Sequence, residues 1–278
     1  MRRTNWLTAP AWAWMTLFFL FPLAIVVVYS FLSKGYYGGV AAPATLGNYL
    51  RFFDPLYLRI LARTFVMAAL TTALCLTIGY PLAYYIAFHG GRRKSLLLFL
   101  VVLPFWTSFL VRTYAWIFLL RDTGLINTVL IRLGWIRVPL PLLYNAGAVL
   151  VGLVYGFLPL MVLPLYASIE RLDRALLEAA SDLGATPVAG LVRVTLPLTR
   201  PGIYAGSVLV FISALGAYIT PDLLGGGKSM MIGNLVQNQF TTGRDWPFGS
   251  AVSLLLMAVV VAALQLYRRR TEASDTIA

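Results

Sequence analysis

Charge is what this sequence has least of. Asp, Glu, Lys and Arg make up 12% of its 278 residues, about half the share of a soluble domain. Hydrophobic residues make up 60%. A soluble globule of this length could not bury so much apolar surface, so a soluble enzyme is excluded. Disorder goes with it, because disorder needs low hydrophobicity and high net charge. Acidic residues are scarcer still, 10 against 22 Lys and Arg, and none lies inside a long apolar run. The single cysteine, Cys75, excludes an intrachain disulfide. With the single histidine, His89, it also leaves a His/Cys metal site without enough ligands. The chain is expected to be an all-α polytopic membrane protein. Its net charge of +12 does not call for nucleic acid. The basic residues cluster beside apolar runs, where membrane anchors belong.

About 20 apolar residues are needed to cross roughly 30 Å of hydrocarbon. Six runs qualify: Ala11–Leu32, Phe65–Phe88, Leu96–Leu120, Ala146–Ser168, Ile203–Pro221 and Phe248–Tyr267. The first follows Arg2-Arg3 as a signal peptide would. It is long and no small-residue cleavage site follows it, so it reads as a retained span. An even number of spans puts both termini on one side. Arg2-Arg3, Arg92-Arg93-Lys94 and Arg268-Arg269-Arg270 abut span ends on that same side, which the positive-inside rule assigns to the cytoplasm. The outer loops, about 33–64, 121–145 and 222–247, carry aromatics and scattered Arg suited to a membrane surface. The tail after Arg270 is short and polar and is expected to fray.

The cytoplasmic loop 169–202 differs from its surroundings. On a helix, Leu172, Ala175, Leu176, Ala179, Ala180 and Leu183 share one face. Charges occupy the other, with Glu170→Arg174 and Arg174→Glu178 as i,i+4 pairs. Gly184 reads as a helix stop, and Thr186-Pro187 as the start of a second helix ending near Val194. Leu196-Pro197 is expected to break it. A solvated connector would explain the charges. It would not explain an Ala/Leu face that something must cover, nor a turn sharp enough to enter a partner's groove.

Glu178-Ala179-Ala180, Gly184, Val194 and Leu196-Pro197 resemble the EAA signature of binding-protein-dependent ABC importer permeases. That signature reads E-A-A, three residues, G, nine residues, I, one residue, L-P, with Val194 standing where Ile is usual. The resemblance extends from about residue 46 to 267. The stretches LPFWTSFLVRTYAW, GLVYGFLPLMVLPLYASIERLD, TPDLLGGGKSMMIGN and QNQFTTGRDWPFGSA are similar to the spermidine/putrescine permease subfamily, and within it to the first permease subunit. The resemblance implies a bacterial inner-membrane protein in three parts. These are an N-terminal span and first outer loop over 1–64, a permease core over 65–267 with its coupling loop at 169–202, and a cytoplasmic tail over 268–278. It implies a second homologous permease, two ATP-binding cassette subunits and an external substrate-binding protein as partners, besides membrane lipid. This chain would bind no cofactor itself, with ATP and Mg at the partner ATPase. The EAA loop would dock in a groove of that ATPase. Glu178 would offer a carboxylate to a basic residue there, and Gly184 would allow the turn.

Gly225-Gly226-Gly227-Lys228-Ser229 imitates the end of a P-loop. The full motif needs Gly where Asp222 stands, so a turn is the better reading. Gly152-x3-Gly156 and Gly202-x3-Gly206 read as ordinary close packing of membrane helices. There is no Ser/His/Asp set and no carboxylate pair in the spans, which leaves an intramembrane enzyme nothing to work with. Arg112 is the one ionisable residue well inside a span, and it should face protein, water or the interface. A polycation's path calls for acceptors and aromatic faces. The candidates are Asp222 and Tyr218 at the outer mouth, with Phe211, Tyr155 and Trp106 as cation–π surfaces. Arg112 would repel a cation if it faced that path. Two alternatives stay open: import of another small solute, and an ion-driven secondary transporter. The second wants intramembrane acidic residues that are absent here. A non-transport scaffold would have no need of the EAA-like loop.

Overall fold

A computed structural model describes residues 5–275, with side chains at position 8 and from 10 to 265. Arg2-Arg3 lies outside the described residues, as do the side chains of Arg268-Arg269-Arg270. Among the described residues the chain is helical apart from one short hairpin. Five helical runs are long and apolar enough to cross a membrane: Pro10–Ser30, Pro55–His89, Phe109–Arg132, Ala146–Glu170 and Trp246–Gln265. A sixth qualifies if Pro187–Leu198 and Arg200–Leu215, bent by 68° at their junction, count as one. The chain divides into two compact units, residues 1–59 with 235–278, and residues 60–234.

In the first unit, α1 (Asn5–Met15) passes through a π-turn at Thr16–Leu20 into α2 (Phe21–Ser30). The 18-residue apolar window of Pro10–Ser30 has no buried residue. In lipid that is a stable arrangement, since an all-round apolar helix needs no core to cover it. A hairpin follows, β1 (Leu32–Lys34) antiparallel to β2 (Val40–Ala44), with Gly38 and Gly39 at positive φ in its turn. β1 begins at Leu32, the last residue of the expected first span, and the rest of the hairpin falls in the expected outer loop 33–64. The short helix α3 (Gly47–Phe52) then presents Arg51 to Asp245, the residue just before α15 (Trp246–Asp275). Asp245 is 3% exposed. One of its oxygens accepts from Arg51 Nη1 at 2.8 Å and the other from the Phe248 backbone N–H at 3.2 Å. The Arg51 guanidinium also lies 4.2 Å over the Phe248 ring. Burial lowers the Arg51 pKa, but the hydrogen bonds to Asp245 and Tyr57 outweigh it and leave it raised. α15 continues as helix to Asp275, beyond the apolar span that ends at Gln265, where fraying was expected after Arg270. Glu272 and Ala273 are good helix formers and prolong its register.

The second unit is built on α8 (Ala146–Glu170), against which α12 (Arg200–Leu215) lies. Small residues set that approach. A Cβ on Gly202 would collide with the Ser168 side chain and stand 2.8 Å from the Pro164 carbonyl oxygen. One on Gly206 would stand 2.7 Å from Met161 Sδ. The long helix α4 (Pro55–His89) packs Cys75, Tyr80, Ala83 and Ala87 into the same core as Met161, Val162, Leu165, Ile169 and Val210.

The expected third span is not one helix. α5 (Lys94–Val102) runs into a 3-10 turn at Leu103–Trp106, and α6 (Phe109–Leu120) starts afresh. Pro104 has no N–H to continue the ladder. Thr107 and Ser108 are extended, with ψ of 149° and 134°. A further helix, α7 (Leu125–Arg132), follows a turn. The fifth span is shorter than expected too. α12 stops at Leu215, and α13 (Ile219–Gly225) is a separate short helix before α14 (Ile232–Phe240).

Candidate functional site

α8 ends at Glu170, and Arg171 caps it. The loop then refolds as α9 (Arg174–Asp182), started by Asp173, whose side chain accepts from the Ala175 N–H at 3.0 Å. Glu170 and Arg174 therefore sit on different helices, and their expected i,i+4 pair does not form. Glu170 instead takes Lys94 Nζ on both oxygens, at 2.7 and 2.9 Å, which clips the start of α5 to the end of α8. The Arg174 guanidinium lies 5.4 Å over the Phe88 ring and makes no ion pair with Glu178.

At the far end of α9 the Gly184 N–H donates to the Ser181 carbonyl at 2.9 Å and the Ala185 N–H to the Ala180 carbonyl at 3.0 Å. That paired pattern is a Schellman stop, which requires left-handed backbone at its glycine. Gly184 has φ +80°, and a Cβ there would meet nothing within 4 Å. Thr186 caps the next helix through the Ala189 N–H at 3.3 Å. α10 (Pro187–Gly190) widens into a π-turn at Leu191–Thr195 and goes on into α11 (Leu196–Leu198). Leu196-Pro197 does not break the run as expected. Pro197 sits in the first turn of α11, where a missing N–H costs nothing. The bend falls two residues later, at Thr199.

The two halves of this loop are anchored differently. Leu191 and Leu196 pack on the core of α4 and α8. Thr195 and Thr199 are buried, and the Thr199 hydroxyl meets the Tyr80 hydroxyl at 3.0 Å. Val194 and Pro197 are half-buried in the same stretch. α9 has no buried residue. Glu178 and Ala179 are exposed, Ala180 is half-buried, and Leu183 is 89% exposed at the turn. The loop is thus a rigid base carrying an uncovered helix with an apolar edge.

The pathway candidates are only partly brought together. Tyr218 and Asp222 share the start of α13, both open to the surface, and the Asp222 N–H donates to the Tyr218 carbonyl at 3.0 Å. Phe211 packs edge-on to Phe65, Tyr155 to Trp116 and Trp106 to Phe99. A buried polar cluster holds the segment after α13. The Asn234 amide donates to the Tyr218 carbonyl at 2.7 Å and its oxygen accepts the Met231 N–H at 3.1 Å. The Ile232 N–H donates to the Thr64 hydroxyl at 2.9 Å. An apolar-run reading gives no signal for Thr64 or Asn234. The P-loop-like Gly225–Ser229 is a turn, with Gly226 and Gly227 at φ +56° and +74°. Beside it lies a cleft of about 660 Å³ lined by Arg121, Asp122, Tyr144, Asn145 and Lys228. Among the described residues no three His, Cys, Asp or Glu side chains gather as a metal site would need.

The chain is similar in fold to a chain of a bacterial ABC transporter that imports the acidic polysaccharide alginate, with a TM-score of 0.70 and 19% identity over 96% of each chain. It is similar also to a chain of a bacterial alginate ABC transporter in complex with alginate pentasaccharide-bound periplasmic protein, with a TM-score of 0.74 and 19% identity over 96% of this chain and 94% of that one. The spermidine/putrescine transport system permease protein PotB of Escherichia coli is 43% identical over 92% of this chain and 93% of its own. That of Haemophilus influenzae is 44% identical over 92% and 90%. Residues 79–272 match the binding-protein-dependent transport system inner membrane component family, and the chain belongs to it. It is a multi-pass, non-catalytic permease subunit of an ABC importer.

Proposed function

We propose that this chain forms half of a polyamine translocation pathway and carries the closure of a separate ATPase to the spans. The observation that carries the reading is the loop Glu178–Pro197. It bears the EAA spacing and folds as an uncovered helix on a base locked to the core. A two-state transporter needs an element whose contacts differ between states. An exposed α9 on a rigid base can take up such contacts without reorganising the chain. Glu178, Ala179, Ala180 and Gly184 meet the ATPase groove, and Val194, Leu196 and Pro197 seat the base. The partners are a second homologous permease, two ATP-binding cassette subunits and an external binding protein. ATP and Mg are bound by the cassette pair. Residues 65–267 form the permease core, with 1–64 before it and a tail from 268. Both termini and the coupling loop are cytoplasmic, which the clusters at span ends support.

Two relatives above 40% identity that are named for spermidine and putrescine support the substrate class. Tyr218 and Asp222, together on α13, suit an ammonium by cation–π contact and charge. The test is uptake of labelled spermidine into vesicles holding the whole complex. ATP-dependent uptake that survives collapse of ion gradients supports the reading. Uptake that follows an ion gradient without ATP overturns the mechanism. ATP-driven uptake of a different solute, with spermidine excluded, overturns the substrate class alone.

A further inference from the structure

Arg112 is a cation that this transport cycle leaves unused. It stands on the first turn of α6, just past the break at Thr107-Ser108. The break folds Phe105 back, so the guanidinium lies 5.5 Å from the Phe105 ring and 5.3 Å from the Phe109 ring. Nε and Nη1 are buried and have no hydrogen-bond partner. Nη2 is the nitrogen left open. The apolar spans of this chain contain no Asp or Glu, and among the described residues Arg112 makes no ion pair.

α8 measures that depth. A Cβ on Gly156 would stand 3.2 Å from Phe109 Cε2, so the Phe109 ring lies against Gly156. Gly156 is ten residues from Ala146 and fourteen from Glu170, the two ends of α8. At 1.5 Å per residue that is about 15 Å and 21 Å. Arg112, one turn from Phe109, is therefore near the middle of roughly 30 Å of hydrocarbon. The guanidinium is held against the Phe105 and Phe109 rings at that level, and an unpaired cation facing tails is strongly disfavoured. On the same helix Val111, Tyr114 and Phe118 form an exposed apolar stripe. A second helix laid on that stripe would pass beside Arg112, the neighbour of Val111 on α6.

We propose that Arg112 pairs with a carboxylate in a membrane span of the companion permease, with Val111, Tyr114 and Phe118 packed beside it. This rests on the reading that the chain works with a second permease. A carboxylate is the acceptor that charge complementarity selects, since it neutralises the guanidinium and takes a charge-assisted hydrogen bond.

The test purifies the full complex through a tag on this chain and measures how much companion comes with it. Arg112→Met should fold, because Met fits an apolar site, and should recover about tenfold less companion or lower. Neutralising one intramembrane Asp or Glu of the companion in the Arg112→Met background should restore recovery, because losing both partners costs less than losing one. Arg112→Cys in a Cys75→Ser background should form a disulfide with a cysteine placed at that acidic position. Wild-type companion recovery by Arg112→Met, without a cross-link at any acidic position, overturns the pairing and leaves the two-permease reading intact. No companion with the wild-type chain overturns both.

Discussion

Gly184 separates two demands that usually coincide. Its φ of +80° is a backbone demand, set by the Schellman bonds at the end of α9. The empty space around its missing side chain is a docking demand, since nothing in this chain lies within 4 Å of a Cβ there. Substituting Ala forces an L-residue into left-handed backbone, at about 1–2 kcal/mol. No steric penalty is added, because the space is open. Asn tolerates that backbone through its short polar side chain, so Gly184→Asn should cost a few tenths to about 1 kcal/mol. If a partner's groove closes on the turn, both substitutions obstruct it, and Asn, the larger, does so more. The expected result is an inverted order. Gly184→Asn unfolds closer to wild type than Gly184→Ala in thermal melts of the detergent-solubilised chain, yet loses more ATP-driven uptake, about tenfold or beyond. Uptake that instead tracks stability, with Asn better than Ala in both assays, would refute the docking role. A loss of several kcal/mol for Gly184→Ala would refute the open geometry.

Asp245→Ala should destabilise the chain by about 1–2 kcal/mol, chiefly because it removes the α15 cap, since Arg51 is 47% exposed and keeps Tyr57; Asp245→Asn, which keeps the cap, should cost less in the same melts. Gly202→Ala should lower the yield of folded protein, since its Cβ collides with Ser168 and the Pro164 carbonyl and forces α12 away from α8 at about 1–3 kcal/mol; an unchanged melting temperature would contradict that packing. The double substitution Asp222→Ala, Tyr218→Ala should cut spermidine uptake without altering the melt, as both side chains are open to the surface; full uptake would remove them from the pathway.

The membrane class was legible because a span needs only length and apolarity, and α8 shows both plainly. Pattern alone located the Gly184 stop and the Thr186 cap in the loop 169–202, but not Asp173, whose carboxylate starts α9 afresh after α8 ends. What periodicity could not supply were the breaks. Leu96–Leu120 reads as one apolar run, and the extended Thr107 and Ser108 after Pro104 make it two helices. Leu196-Pro197 reads as a stop, yet a π-turn upstream lets the proline fall in a first turn. The Glu170–Arg174 pairing assumed one helix across a position where two meet. Lys94 and Glu170, 76 positions apart, could be joined only by the packing of α5 near α8. Tyr80 with Thr199 and Thr64 with Ile232 are likewise products of tertiary placement, polar side chains that a hydropathy scan passes over.

The central claim is that α9 grips a separate ATPase through the EAA positions. Tagging this chain, purifying it gently from its native membranes and identifying its companions by mass spectrometry tests it most directly. An ATP-binding cassette protein should be recovered with the wild-type chain and lost on Glu178→Arg, with the chain's own melting temperature unchanged because Glu178 is exposed. Equal recovery of the cassette protein with both chains would contradict it.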